Sequence, residues 1–526
     1  MQKLLSRRHT GAWIVASGLL FLNACDAPDT EQTQTLTYAA YTDVKEWDPS
    51  YAFSTESLVL LNIYEGLTLY DPSYPDDPVR PRLAESWEVS EDGLTWSFKL
   101  RPGVTFHDGE PCDASAVKAS LERTIAEGSG AFYIFEGIES IEAVDPLTLR
   151  ITTAKPMPLD LISSAQYGTY IFSPKAAAKG KSWFNEGNAV GTGPYRLRQW
   201  NRNQQVVLER FEDYWGGWDP GQYERVIIKI VLEPSTRLQL LLAGQADIIP
   251  FLRSELTEPL SKNEKIVIER VPSWKNVLFL INTDKAPTDN LLFRRALTHA
   301  WDYDGIIEAT YGSGATRPQG PVPGTLWGNF TDAVLPAYDL ELARELIEAS
   351  GVPPEKRKLT LSYIHGVDAY RAAAEIYQAS LADIGIELEL RPGPAWGQIW
   401  DQAKNPRTAP NMISMTWWPT WPTPADWLIG LFRTEDPPLF NLSYYSNPKY
   451  DETLEAAIVA TSTDREQAIK YFQEAQRILQ DDAVAIYVAD VQDQLVYRRG
   501  LRDVRSNPAY NTVFFYNVRA PLPAQP

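Results

Sequence analysis

The chain has 526 residues, too many for a single core, so two or three domains are expected. Hydrophobic residues make up 44% and charged residues 22%, a balance that excludes bulk disorder. The net charge of −19 makes the protein a poor non-specific partner for nucleic acid or anionic lipid. Seventeen tryptophans and 26 tyrosines instead suit peptides, sugars and other solutes with flat or apolar faces.

The N-terminus has a basic start (Lys3, Arg7, Arg8) and an apolar run from Ala12 to Leu22, the layout of a secretory signal. The run is shorter than the roughly 20 apolar residues that span a bilayer. It ends in Leu22-Asn23-Ala24-Cys25, which resembles the bacterial lipobox and marks Cys25 for acylation. Asp26 resembles the signal that retains lipoproteins at the inner membrane. The second cysteine, Cys112, has no partner for an internal disulfide and reads as a small packed side chain.

Leu36 to Tyr41 opens the first strand, and Leu58 to Leu69 reads as a helix. Trp87 to Leu100 alternates around an Asp92-Gly93 turn and predicts a hairpin. Asp113 caps a helix stopped by Gly128, and Leu147 to Ile151 alternates as a strand. Arg196 to Glu209 and Val226 to Leu232 read as strands, Thr236 to Ala243 as helix and Ala246 to Ile249 as a short strand. Val277 to Asn282 is an apolar strand at an expected domain crossing. Asp339 and Asp464 each cap a helix. Leu359 to Ile364, Ala369 to Ile384 and Ile386 to Leu390 form a βαβ unit, which favours a parallel sheet. Ala483 to Val488 and Val513 to Tyr516 read as the last strands.

The segment Met415 to Phe432 stands out. Trp417, Trp418, Trp421 and Trp427 share it with Pro419, Pro422 and Pro424. Proline fixes φ and removes a donor, so this reads as a stiff loop carrying large rings toward a ligand. No Walker sequence occurs, and Gly191-Thr192-Gly193 opens no dinucleotide fingerprint. There are four histidines (His9, His107, His299, His365) and no His-x-x-x-His or Cys-x-x-Cys pair, so no metal site and no cofactor are expected. A hydrolase using Glu85 and Asp92 is a weaker alternative, because both acids lie in the hairpin.

Several blocks together resemble the family 5 extracytoplasmic solute-binding proteins, the peptide-, dipeptide- and nickel-type receptors of bacterial ABC importers. They are Tyr64-Glu65-Gly66-Leu67, Leu83-Ala84-Glu85-Ser86-Trp87, Leu100-Arg101-Pro102-Gly103-Val104, Phe106-His107-Asp108-Gly109, Gly191-Thr192-Gly193-Pro194-Tyr195 and Phe293-Arg294-Arg295-Ala296-Leu297. The resemblance runs from about Leu36 to Tyr516. It implies an α/β, two-lobed periplasmic-binding-protein fold (class II type), with an extra α+β lobe inserted in the first lobe and hinge closure on a solute. The expected layout is a lipoprotein signal over 1–24, a tether over 25–35 and the first part of lobe I over 36–77. An inserted small lobe over 78–188 and the second part of lobe I over 189–276 follow. Lobe II covers 277–488, and the chain returns to lobe I over 489–526.

The resemblance implies no enzymatic activity. It implies a monomer held to the inner membrane through Cys25 on its periplasmic side, delivering solute to an ABC permease and ATPase. It places the tryptophan-rich segment in the cleft, with Trp417, Trp418, Thr420, Trp421 and Thr423 as ligand contacts. Tyr41, Trp47, His365 and Trp396 are further candidates, and His107 reads as structural. Thr420 and Thr423 occupy positions where the family's loop carries Asp; in its peptide receptors the first Asp pairs with the ligand's ammonium. An acid elsewhere, such as Asp426 or Asp368, is a candidate replacement. The leading expectation is a peptide or related solute; the alternative is an oligosaccharide or sugar conjugate, for which neutral threonines among tryptophans are suited.

Overall fold

The computed structural model describes residues 34–74, 77–250, 252, 256, 258–260, 262–365, 367–393, 396–510 and 512–522. The signal, the lipobox and Cys25 therefore lie outside the described residues. No helix among the described residues is long and apolar enough to cross a membrane.

Among the described residues one mixed sheet has 11 strands. From one edge its order is Glu387–Gly393, Lys358–Ile364, Met412–Trp417, Ile266–Ile281, Ala485–Arg498, Ile248–Ile249, Thr35–Ala40, Arg225–Ile230, Gln205–Arg210 and Tyr195–Asn201. Ala315–Thr316 pairs with Ala485–Arg498 off this path. Ile266–Ile281 and Ala485–Arg498 lie antiparallel, from Ile266 opposite Arg498 to Leu280 opposite Ala485. The register breaks between Pro272 and Lys275 and between Val277 and Leu278. One end of this pair extends the first lobe, where Ile248 lies opposite Tyr497. The other end extends the second, where Ile281 lies opposite Met412. Both strands are thus shared by the two lobes, and both are longer than the sequence indicates. Polar residues interrupt their apolar pattern near the middle: Asp490, Gln492, Asp493 and Gln494 all lie within Ala485–Arg498.

A separate antiparallel sheet, ordered Ala84–Val89, Thr95–Leu100, Thr148–Thr153, Ile138–Asp145, carries the expected hairpin. Its turn places Gly93 at φ 72°, a conformation glycine adopts without a Cβ clash. The helix Ala114–Glu127 belongs to this unit, with Asp113 accepting from Ala116 N and Gly128 left-handed at its end. Leu340–Ser350 and Arg465–Asp481 begin as expected at Asp339 and Asp464. Lys358–Ile364 and Glu387–Gly393 are parallel, joined by the helix Asp368–Asp383, which is the expected βαβ unit.

Two of the elements that differ from the sequence expectation are linked by one side chain. Leu58 to Leu69 forms only the short helix Ser57–Leu60, then turns into the strand Thr68–Tyr70. Val513 to Tyr516 is not a strand but leads into a 3-10 turn, Phe515–Asn517. Asn62 accounts for both: its Nδ2 donates to the carbonyls of Leu58 and Val513, and its Oδ1 accepts from Phe515 N. The carbonyl of Ile63, needed by a longer helix, accepts from Gly193 N instead (2.9 Å). A Cβ on Gly191 would fall 2.1 Å from that carbonyl oxygen, so the glycine motif permits the approach. The helix Pro448–Thr463, absent from the sequence reading, begins at an Asn447 cap with proline in its first turn.

The motif glutamate Glu65 is a buried hub. Its carboxylate accepts from Arg82 Nε (2.8 Å), Thr192 Oγ1 (2.9 Å), Tyr214 Oη (3.0 Å) and Trp215 Nε1 (2.9 Å). His107 bonds the Gly193 carbonyl through Nε2 at 2.8 Å, and burial lowers its pKa to about 4, so it serves structure as a neutral ring. Cys112 is buried, and burial pushes its thiol well above the usual range.

Candidate functional site

The tryptophan–proline segment is built in three pieces rather than as one loop. Met412–Trp417 is a strand beside the shared strand Ile266–Ile281, residues 418–423 form the connection, and Pro424–Phe432 is a helix. Pro424 fits because the first helical turn needs no amide donor there. Thr423 is fully buried as the N-cap, its Oγ1 accepting from Ala425 N at 3.4 Å. Trp427 is fully buried on that helix, and its Nε1 donates to Asn276 Oδ1 of the shared strand at 3.1 Å. It anchors the segment from below. Trp421 is also buried, and the neighbouring Pro422 carbonyl accepts from Trp327 Nε1 at 3.1 Å.

The backbone of the connection is met by residues 53–167. The Thr420 carbonyl accepts from Gln166 N (2.9 Å), and the Pro419 carbonyl accepts from Gln166 Nε2. Tyr133 Oη and Thr420 Oγ1 share a hydrogen bond of 2.8 Å. Trp418, half-buried, stands beside the Tyr167 hydroxyl. Two ion pairs flank the seam: Lys155 with Glu455 (2.6 Å) and Arg433 with Glu136 (3.1 Å).

Rings from both sides interlock. Phe53 contacts Tyr133 edge-on (6.2 Å), Tyr167 at a tilt (5.3 Å) and Phe440 in a stack (6.1 Å). Phe440 in turn stacks on Trp400 (5.6 Å) and takes Trp417 edge-on (5.3 Å). Such pairs contribute beyond area burial, about 0.5–1.5 kcal/mol each.

Two buried acids lie in this region. Asp426, 1% exposed, follows the cap on the helix Pro424–Phe432. Its Oδ2 accepts from Trp417 Nε1 (3.0 Å) and Thr420 N (2.9 Å), while Oδ1 has no hydrogen-bond partner. Burial raises its pKa to about 7, against the opposing effect of these donors and of the nearby Tyr133 and Thr420 hydroxyls. Glu56 Oε1 accepts from Phe53 N (2.7 Å) and Ser54 N (2.8 Å), its Oε2 is unpartnered, and burial raises its pKa.

Of the sequence candidates, Trp417, Trp418, Thr420 and Trp421 come together in the segment that meets residues 53–167. Thr423 shares that segment, with its hydroxyl committed to the cap. Tyr41 is 49% exposed beside the charges of Lys275 and Asp493 on the shared strands. Trp47 lies apart from them, its ring fully buried in the first lobe and edge-on to Trp200 at 5.4 Å. His365 is exposed beyond the strand Lys358–Ile364, its backbone N donating to Gly393 O at 2.8 Å. Trp396 opens the helix Trp396–Ala403, and its side chain lies outside the described residues. Asp368 is exposed near Arg371 (3.8 Å). Glu85 is exposed and paired with Arg101 (3.5 Å). Sequence reasoning missed Phe53, Tyr133, Gln166, Tyr167, Trp400 and Phe440. Only Trp400 carried a local signal, one helical turn beyond Trp396. Among the described residues no group of three His, Cys, Asp or Glu side chains could hold a metal ion.

Two lobes that share two long strands and meet across an aromatic seam define a two-lobed solute-binding protein. The chain belongs to the family described as bacterial extracellular solute-binding proteins, family 5 Middle, whose match spans residues 78–438. It is 29% identical over 486 residues to the glutathione-binding protein GsiB of Pectobacterium atrosepticum, covering 91% of this chain and 92% of that protein. It is 28% identical to the probable D,D-dipeptide-binding periplasmic protein DdpA of Escherichia coli, covering 92% of each chain. In structure it is similar to the periplasmic binding protein DppA of Helicobacter pylori in complex with the peptide STSA. The TM-score is 0.80 at 25% identity, covering 94% of this chain and 99% of that one.

Proposed function

We propose that this protein is the receptor of an ABC importer, working in the periplasm from a lipid tether at Cys25. It holds a small peptide or related solute between its lobes and delivers it to a membrane permease and ATPase. The observation that carries this reading is the seam itself. Phe53, Tyr133 and Tyr167 meet Trp417, Trp418 and Phe440 there, and unpaired carboxylate oxygens of Glu56 and Asp426 lie in the same region. Aromatic walls accept apolar side chains, and few polar groups then fix orientation. Relatives that bind glutathione and a peptide support the same class.

A sugar ligand has less support. The Thr420 and Thr423 hydroxyls are both engaged within the protein, and a buried acid without a cation suits an amine better than a neutral sugar. Thermal-shift titration with glutathione, Met-Leu and a neutral oligosaccharide series tests this. A bound solute stabilises by about 2.7 kcal/mol at 100 times its dissociation constant, and that shift is expected with at least one peptide. A shift with neutral oligosaccharides and none with peptides overturns the reading.

A further inference from the structure

Residues 317–330 leave the short strand Ala315–Thr316 and are tied to both strands that the lobes share. Asn276 Nδ2, on Ile266–Ile281, donates to the Pro321 carbonyl (2.5 Å). Gly324 N donates to Asp490 Oδ2, on Ala485–Arg498 (2.9 Å). Asn276 and Asp490 lie opposite each other in the ladder, beside the register break at Val277 and Leu278. Farther along, the Gly328 carbonyl accepts from Gln476 Nε2 (2.8 Å), and Trp327 Nε1 donates to the Pro422 carbonyl (3.1 Å). The segment is thus a strap that joins the shared strands to the connection 418–423.

Asp490 is the weak point of this strap. Its side chain is buried, its Oδ1 has no hydrogen-bond partner, and it makes no ion pair among the described residues. The charged groups on the elements packed around it are engaged elsewhere. Lys275, on the neighbouring strand, pairs with Asp493 of Asp490's own strand (2.6 Å). Arg317, at the start of the strap, donates to the Pro336 carbonyl and lies over the Tyr303 ring (4.2 Å). On the helix Arg465–Asp481, Arg465 lies over Trp327 (4.1 Å) and Arg477 pairs with Glu474 (2.6 Å). The Tyr487 hydroxyl is buried, and burial holds its pKa well above the usual range.

Burial raises the pKa of Asp490 to about 7, against the opposing effect of the Gly324 amide. The cover over it is thin, because Gly324 and Thr325 are themselves exposed. Lifting this one turn brings water to the carboxyl group, which an ionised acid needs and a protonated one does not. The seated strap therefore holds the proton more tightly than a lifted one. Its advantage is complete below about pH 4, the ordinary range of a hydrated aspartate, and is lost as pH rises through about 7.

We propose that Asp490 is a proton-controlled clasp: protonated, it keeps the strap 317–330 seated on the shared strands, and ionised, it releases the turn at Gly324 and loosens the strap that holds Pro422. The pH of the surroundings then sets how firmly the strap supports the cleft segment, whichever solute is bound.

The test is hydrogen-exchange mass spectrometry on the full chain without added solute, with rates corrected for the intrinsic pH dependence of exchange. In the wild type, peptides spanning 318–330 are expected to exchange at least about tenfold faster at about pH 8.5 than at about pH 5.5. Asp490→Asn keeps an oxygen for Gly324 N and cannot ionise, so its corrected rates are expected to match at the two pH values. Asp426→Asn is expected to keep the wild-type response. Equal corrected rates in the wild type overturn the clasp. So does an equal rise in the strand Lys358–Ile364, which marks general loosening. A response that survives in Asp490→Asn, or one that disappears in Asp426→Asn, assigns the titration to another group and also overturns it. The wild-type and Asp426→Asn measurements decide the matter even where Asp490→Asn does not fold.

Discussion

Glu65 and Asp426 are both buried carboxylates, and they are built to opposite ends. Glu65 receives four donors, one of them an arginine. Asp426 receives two neutral donors and keeps an oxygen unpaired, with its pKa raised by burial to about 7. The first pattern ties four chain segments into one core. The second leaves a carboxyl incompletely paired where two walls meet, and burial there favours its protonated form. Completeness of pairing thus separates the two acids where burial does not.

The contrast is sharpest under mutation. Glu65→Ala leaves Arg82 buried without its partner, and breaking such a pair costs about 3–5 kcal/mol, read as a fall in the urea midpoint. Trp427→Ala removes a fully buried ring and is expected to cost a similar amount, about 3–5 kcal/mol. Trp418→Ala, at a half-buried ring, is expected to destabilise the free protein less and to weaken solute binding. Equal losses of stability from the two tryptophans would place Trp418 in the core.

The pH dependence follows from the direction of the shift. Asp426 holds its proton more tightly folded (about 7) than unfolded (about 4). Its contribution therefore favours the folded state below about pH 4 and is lost as pH rises toward about 7. Asp490, also raised to about 7 by burial, acts in the same direction. Melting curves of the unliganded Asp426→Asn variant are expected to fall less steeply than wild type across pH 4 to 7. The smallest effect belongs to Lys155→Ala. Its ion pair with Glu455 is substantially exposed, so the loss is at most about 1 kcal/mol and fades with added salt.

What the sequence disclosed was local. Asp113, Asp339 and Asp464 announce their helices because a cap bonds amides two or three residues away. Asp92-Gly93 announces its hairpin for the same reason. Asn62 could not be read this way, since the groups it binds at Val513 and Phe515 are remote in sequence. The site divides likewise. Trp417 and Thr420 stand out as candidates in the sequence of one segment, but Phe53, Tyr133 and Tyr167 meet that segment only through the fold. Asp426 lay in view within that segment. Its unpaired oxygen becomes visible only once Trp417 Nε1 and Thr420 N are seen to converge on the other one.

Among the described residues the large sheet also has two open margins, Tyr195–Asn201 and Glu387–Gly393, each paired on one side only. Unsatisfied strand margins invite another copy to add itself. Here Arg196 and Arg198 stand exposed along one margin, and Glu387, Glu389 and Arg391 along the other. A second molecule offering the same strand would bring arginine toward arginine, or strip water from charged side chains. Charge along both margins thus opposes edge-to-edge pairing of one copy with another.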